Sequence, residues 1–179
     1  LDIIDDYSLK IKDAVIGADV VVIGTPLSTT EKIFPQIVAS LKPSAVLTDV
    51  GSAKGSVVIT AQKVMGDNFS SFVPGHPIAG TEQSGVEASF AELFVDHRVI
   101  LTPLDVTDAS AHKLITKMWQ VVGANVINLD VKHHDDVLAA TSHLPHMLAY
   151  ALVDCLAGMQ EREDIFKYAA GGFADFTRI

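Results

Sequence analysis

With 179 residues, 49% of them apolar, the chain is long enough to bury the core of one domain, or of one domain with an appended piece, and too apolar for disorder. A net charge of −9 argues against nucleic acid and anionic membrane as partners, since both call for basic surface. A single cysteine, Cys155, excludes a disulfide framework, and no run of about 18 apolar residues is present to span a membrane.

One reduced cysteine and no signal peptide point to the cytoplasm. The start at Leu1, without an initiating Met, reads as a fragment. Leu1 to Lys12 mixes polar and apolar residues, as a loop with a short helix would. Asp19-Val20-Val21-Val22-Ile23-Gly24 is a β-branched run, the pattern of a strand covered on both faces, and Thr25-Pro26 ends it. Ser28 to Thr30 are expected to cap a helix with Ile33, Phe34, Ile37, Val38 and Leu41 at helical spacing. Pro35 should fall near its first turn.

Ala45 to Val50 is the next buried strand. Gly51 to Gly55 then turn into a helix with Val57, Val58, Ala61, Val64 and Met65 on one side. Ser71 to Val73 is a short third strand. Gly75, Pro77 and Gly80 forbid a helix beyond it, so His76 is expected on a stiffened loop at a strand end.

Ser84 to Phe94 is expected to be helical, and Arg98 to Thr102 a strand stopped by Pro103. Thr107 opens an amphipathic helix with Ala111, Leu114, Ile115, Met118, Trp119 and Val122 inward, ended by Gly123, and Ala124 to Asn128 is a last strand. Strands alternating with helices predict an α/β fold with a parallel, doubly wound sheet.

Near Asp130 the character changes. His133 to Gly158 is one long apolar helical pattern that Pro145 should kink or break, with Cys155 in its core. Glu161 to Asp164 reads as a solvated turn and Phe166 to Ala170 as a short helix. The expected division is therefore an α/β domain over residues 1–129 and an all-helical region over 130–179.

Ligands of open α/β sheets lie past the C-terminal strand ends, where Gly24-Thr25-Pro26-Leu27 and Asp49-Val50-Gly51-Ser52 fall. Ordinary turn chemistry, or Ser52 as a helix cap, explains each equally well taken singly. Asp135, Ala139, Ser142 and His146 follow at steps of four, three and four, the spacing of one helical stripe, with His143 beside it. Histidines bonded into helix packing are the bland alternative. No metal is expected, because His143 and His146 stand at i, i+3 beside a proline and the chain has no H-E-x-x-H. Arg178, behind Gly171-Gly172, carries a donor fork that suits a carboxylate, or a surface pair with Asp175.

Four segments occur in register: Asp49-Val50-Gly51-Ser52-Ala53-Lys54, Gly75-His76-Pro77-Ile78-Ala79-Gly80, Ser142-His143-Leu144-Pro145-His146, and Gly171-Gly172-Phe173 with Asp175-Phe176-Thr177-Arg178-Ile179. Together they resemble the prephenate and arogenate dehydrogenases of tyrosine biosynthesis. The resemblance implies a Rossmann-type nucleotide domain lacking its first βα unit, then the start of a helical dimerisation domain and hence a homodimer. It implies oxidative decarboxylation of prephenate or arogenate, with hydride passing to NAD or NADP.

In that reading His76 is the base at the C4 hydroxyl and Ser52 bonds to the same hydroxyl or to the imidazole. Arg178, His146, His143 and Ser142 hold the substrate anions, with His134 and Asp135 in a supporting shell. Thr25, Pro26 and Gly51 line the cofactor cleft. The chain holds no G-x-G-x-x-G, and Ala174 stands where a basic residue is expected. A β-hydroxyacid dehydrogenase on the same plan is the alternative enzyme, disfavoured by the absence of lysine between His133 and Tyr150. A non-catalytic dimerisation or regulatory piece is the alternative without chemistry.

Overall fold

The structure, a computed structural model, describes residues 4–81, 83 and 85–178. Its chain forms two compact units, Leu1–Ala79 with Phe90–Asp135, and Gly80–Ser89 with Asp136–Ile179.

In the first unit, helix α1 (Ile11–Val15) precedes strand β1 (Val20–Ile23), helix α2 (Thr30–Val38), strand β2 (Val46–Asp49) and helix α3 (Gly55–Met65). Strand β3 (Phe72–Val73) completes a parallel sheet in the order β1-β2-β3. Alternation along these strands sends Leu47 and Phe72 into a core beneath α1, α2 and α3, and Val46 and Val73 into a second core. That second core is closed by Ala111, Ile115 and Trp119 of helix α4 (Ala109–Val121). Helices on both faces of the sheet are what the alternating pattern predicts, and the α/β reading holds.

Several local expectations differ. The Gly75–Ile78 stretch is not a loop. It is strand β4, antiparallel to strand β5 (Arg98–Leu101), with His76 opposite Ile100, and strand β6 (Asn125–Asn128) runs parallel to β5. Only Pro74 separates β3 from β4, and its carbonyl accepts the Thr102 N–H at 2.9 Å. Pro77 is tolerated because β4 has β5 as its one partner in this sheet, leaving an edge where a missing N–H costs little.

Ahead of α2 the residues Leu27–Thr29 form a 3-10 turn, so Ser28 to Thr30 make no side-chain cap and Pro35 is the sixth helical residue, not a first-turn one. The helix expected over 84–94 is a single 3-10 turn, Val86–Ala88, entered through Gly85 at φ 95° (Ser84 lies outside the described residues). Val86 and Phe90 are exposed, while Phe94 at the segment's end packs on the second core and meets Trp119 edge-on at 5.0 Å, so no continuous apolar stripe calls for a helix. On α4 the N-cap is Asp108, whose carboxylate accepts from Ser110 and Ala111, and Leu114 and Val122 face solvent, outside the stripe of Ala111, Ile115 and Trp119.

The chain continues through helix α5 (Val131–Leu138), a π turn (Ala139–His143) and helix α6 (Leu144–Ala157). Pro145 neither ends the helix nor splits it. Lacking an N–H, it cannot close an α-turn onto the Thr141 carbonyl, and the backbone widens there instead. The spacing counted on 3.6 residues per turn does not carry through a π turn, so the stripe of Asp135, Ala139, Ser142 and His146 is interrupted.

In the second unit, α6 packs with helices α7 (Arg162–Lys167) and α8 (Gly171–Thr177), and Phe166 meets Phe173 edge-on at 6.0 Å. Glu161 to Asp164 is thus mostly helix rather than turn, and the short helix expected over 166–170 begins earlier. Cys155 is exposed, not core. Helix α6 is apolar all round, with Leu144, Met147, Leu148 and Tyr150 open, and such a pattern does not tell which face turns inward. Among the described residues no helix is long and apolar enough to cross a membrane.

Candidate functional site

Three of the residues singled out from sequence meet in the first unit. His76, on β4, brings Nδ1 to 2.9 Å from Nε2 of His134, whose Nδ1 lies 2.8 Å from Oδ1 of Asp135. The rings of His76 and His134 meet edge-on, 5.1 Å apart. His134 is fully buried and His76 half-buried.

Protons can be assigned from this network. A carboxylate only accepts, so His134 donates from Nδ1 and presents a bare Nε2. With both rings neutral, His76 then donates from Nδ1 to His134. Such an arrangement can orient one imidazole as a base, with a second imidazole and a carboxylate to steady it once charged.

Asp135 has a further task. Its two oxygens accept the N–H groups of Lys54 and Gly55 at 2.8 Å each, capping the N-terminus of α3, which has no side-chain cap of its own. Partial burial pushes the Asp135 carboxyl upward, but the two backbone N–H donors and His134 outweigh it and hold the group below the ordinary carboxylate value.

Beneath His76 lies a pair that the sequence reading did not assign. Lys54 is 0% exposed and Asp49 3%. Lys54 Nζ donates to Asp49 Oδ2 and to the Gly75 carbonyl, each at 2.5 Å, while Asp49 accepts the N–H groups of Gly51 at 2.9 Å and Gly75 at 3.2 Å. Burial drives the Lys54 amine downward, opposed by Asp49 and Asp135. Both residues stood in the Asp49–Lys54 motif, but a lysine carries no local sign that it will be buried.

The remaining residues divide between the units. Thr25 and Pro26 are exposed in the turn after β1. Gly51 and exposed Ser52 lie in the turn after β2, where Lys54 rather than Ser52 occupies the cap position of α3. A side chain at Gly51 would force its neighbours to shift, since a Cβ would stand 2.6 Å from Leu27 and 2.9 Å from the Asp49 carboxylate. In the second unit, Ser142 and His143 are on the π turn, His146 is exposed on α6, and Arg178 is exposed at the C-terminal end of α8.

The turns after β1 and β2 sit at the C-terminal ends of adjacent parallel strands, with a groove between α2 and α3 lined by Leu27, Ser28, Thr30, Glu31, Ser56, Ile59 and Thr60. The backbone and hydroxyls of these turns are the groups that would hold a nicotinamide dinucleotide.

Residues 1–128 match the family model described as prephenate dehydrogenase, nucleotide-binding domain, and residues 130–179 the one described as prephenate dehydrogenase, dimerization domain. The chain is 40% identical over its whole length to a cyclohexadienyl dehydrogenase of Zymomonas mobilis, covering 61% of that protein. It is 35% identical to a prephenate dehydrogenase of Bacillus subtilis, again over its whole length, covering 48% of that protein. The structure of A. aeolicus prephenate dehydrogenase with hydroxyphenyl propionate and NAD+ superposes with a TM-score of 0.84 at 43% identity, over 94% of this chain and 58% of that one. The chain thus spans about half to three-fifths of the length of these relatives.

Proposed function

This chain belongs to the prephenate dehydrogenase family, and on that premise we propose that the whole protein oxidatively decarboxylates prephenate, arogenate or both, in tyrosine biosynthesis, as a homodimer. The observation that carries the reading is the chain of contacts from Asp135 through His134 to His76, which fixes the orientation of the His76 ring. A nicotinamide, NAD or NADP, accepts hydride when bound, and Thr25, Pro26 and Gly51 would line its cleft.

His76 Nε2 takes the proton of the C4 hydroxyl as hydride leaves C4, and the ring carboxylate departs as carbon dioxide while the ring aromatises. A neutral imidazole suits that task near neutral pH. His134 and Asp135 fix the tautomer of His76 and stabilise the imidazolium that forms. Ser52 bonds to the hydroxyl or to the imidazole. Arg178 holds a substrate carboxylate bidentately, helped by His146, His143 and Ser142.

The test is formation of reduced nicotinamide by the full-length protein, offered prephenate and arogenate with NAD and NADP. Turnover of either substrate supports the reading and reads both specificities. Silence with both, from a dimer that binds cofactor, ends it. His76→Asn should lower kcat by about 100-fold or more with little change in KM, and Arg178→Ala should chiefly raise KM.

A further inference from the structure

We infer that Lys54 is a positioning residue, which holds the base through two separate contacts: its side chain clamps the Gly75 peptide that carries His76, and its main chain seats the Asp135 carboxylate that holds His134 against His76. The inference rests on the role proposed for His76.

Three observations carry it. Gly75 is held through both of its backbone groups, its carbonyl accepting from Lys54 Nζ and its N–H donating to Asp49, while Lys54 and Asp49 are bonded to each other. The residue gripped is the one before His76. It has no room to shift, because a Cβ there would stand 3.0 Å from the Asp49 carbonyl and 3.2 Å from Leu101. The second route closes on the same imidazole, since the N–H of Lys54 fixes Asp135, Asp135 fixes His134 and His134 fixes Nδ1 of His76.

Stability alone does not account for the pair. Two charges withdrawn from water are costly, and well-packed apolar residues in their place are often as stable or more so. What an apolar pair cannot do is hold the Gly75 carbonyl and the Asp49 carboxylate in one register, and an ångström of drift in a base has large kinetic consequences.

The experiment uses the full-length protein with 15N-labelled histidine, as wild type, Lys54→Met and the double variant Asp49→Asn with Lys54→Met, the last removing both charges so that none is stranded. The His76 ring nitrogens, assigned with His76→Asn, report the tautomer, and steady-state kinetics report kcat and KM.

The expected result is a wild-type His76 protonated at Nδ1, a mixed tautomer in the variants, and kcat lower by about 100-fold with KM and cofactor affinity within about threefold. An unchanged tautomer with kcat within about threefold in a folded variant would overturn it. Should Lys54→Met fail to fold, the double variant decides. A wild type silent with both substrates defeats the functional reading alone, because the tautomer still reads the clamp.

Discussion

The carboxylate of Asp135 accepts the backbone N–H of Gly55 at 2.8 Å, so the start of α3 is capped by a residue 80 positions further along the chain. The same carboxylate holds His134. Helix and site therefore depend on one charge.

A pH dependence follows. The folded protein holds the Asp135 carboxyl below its ordinary value of 3.8. The unfolded chain therefore binds that proton more readily, so the stabilisation is fully present above about pH 4 and is lost as pH falls through the lower, folded value. Asp135→Ala should cost about 1–2 kcal/mol at neutral pH, as cap losses do. In urea titrations of both proteins the gap between their midpoints should close toward pH 3. A gap that stays constant would separate the cap from the charge.

Gly51 sets a steric limit at the same place. In Gly51→Ala the new methyl group meets Leu27 and the Asp49 oxygen that bonds Lys54, so something must move. A loss of about 1–3 kcal/mol is expected. Gly80→Ala is the control: nothing lies within 4 Å of its Cβ position, and the change should stay within about 0.5 kcal/mol. Equal thermal shifts in the two would contradict the packing.

Legibility in the sequence followed the range of the interaction. Strands β1 and β2 were plain, because buried parallel strands are unbroken apolar runs. The α4 stripe was mostly plain because it is local. Strand β4 was hidden, since Gly-His-Pro-Ile has poor strand propensity and becomes extended only by pairing with β5. The partners of Lys54 lie 5, 21 and 81 residues away, and those of His76 and His134 58 apart, so no window in the sequence holds them together. His134 is legible only through the family resemblance, whereas Asp135 also stands in the helical stripe. The stripe counted from Asp135 assumes an unbroken α-helix, which the π turn at Ala139–His143 interrupts.

That π turn is itself open to test. Pro145→Ala restores the N–H that can reach the Thr141 carbonyl, so the turn should tighten to α and the protein should gain about 1–3 kcal/mol. Ser142 and His143 would rotate with it. In the full-length protein kcat/KM should fall by about tenfold or more, since π turns often serve sites at the expense of stability. A variant both more stable and fully active would leave the turn with no task beyond accommodating the proline.

His134 gives the sharpest separation between a residue that orients and one that binds. It is fully buried between His76 and Asp135, and its two ring nitrogens are both engaged there. His134→Leu removes both contacts, leaves the His76 tautomer unset and should lower kcat by about 100-fold while KM moves by less than about threefold. His134→Gln, whose amide offers one donor and one acceptor, should recover part of that loss, and Asp135→Asn should resemble it by weakening the acceptor at Nδ1. A rise in KM at constant kcat would instead make His134 a substrate contact, and the orientation of His76 would need another cause.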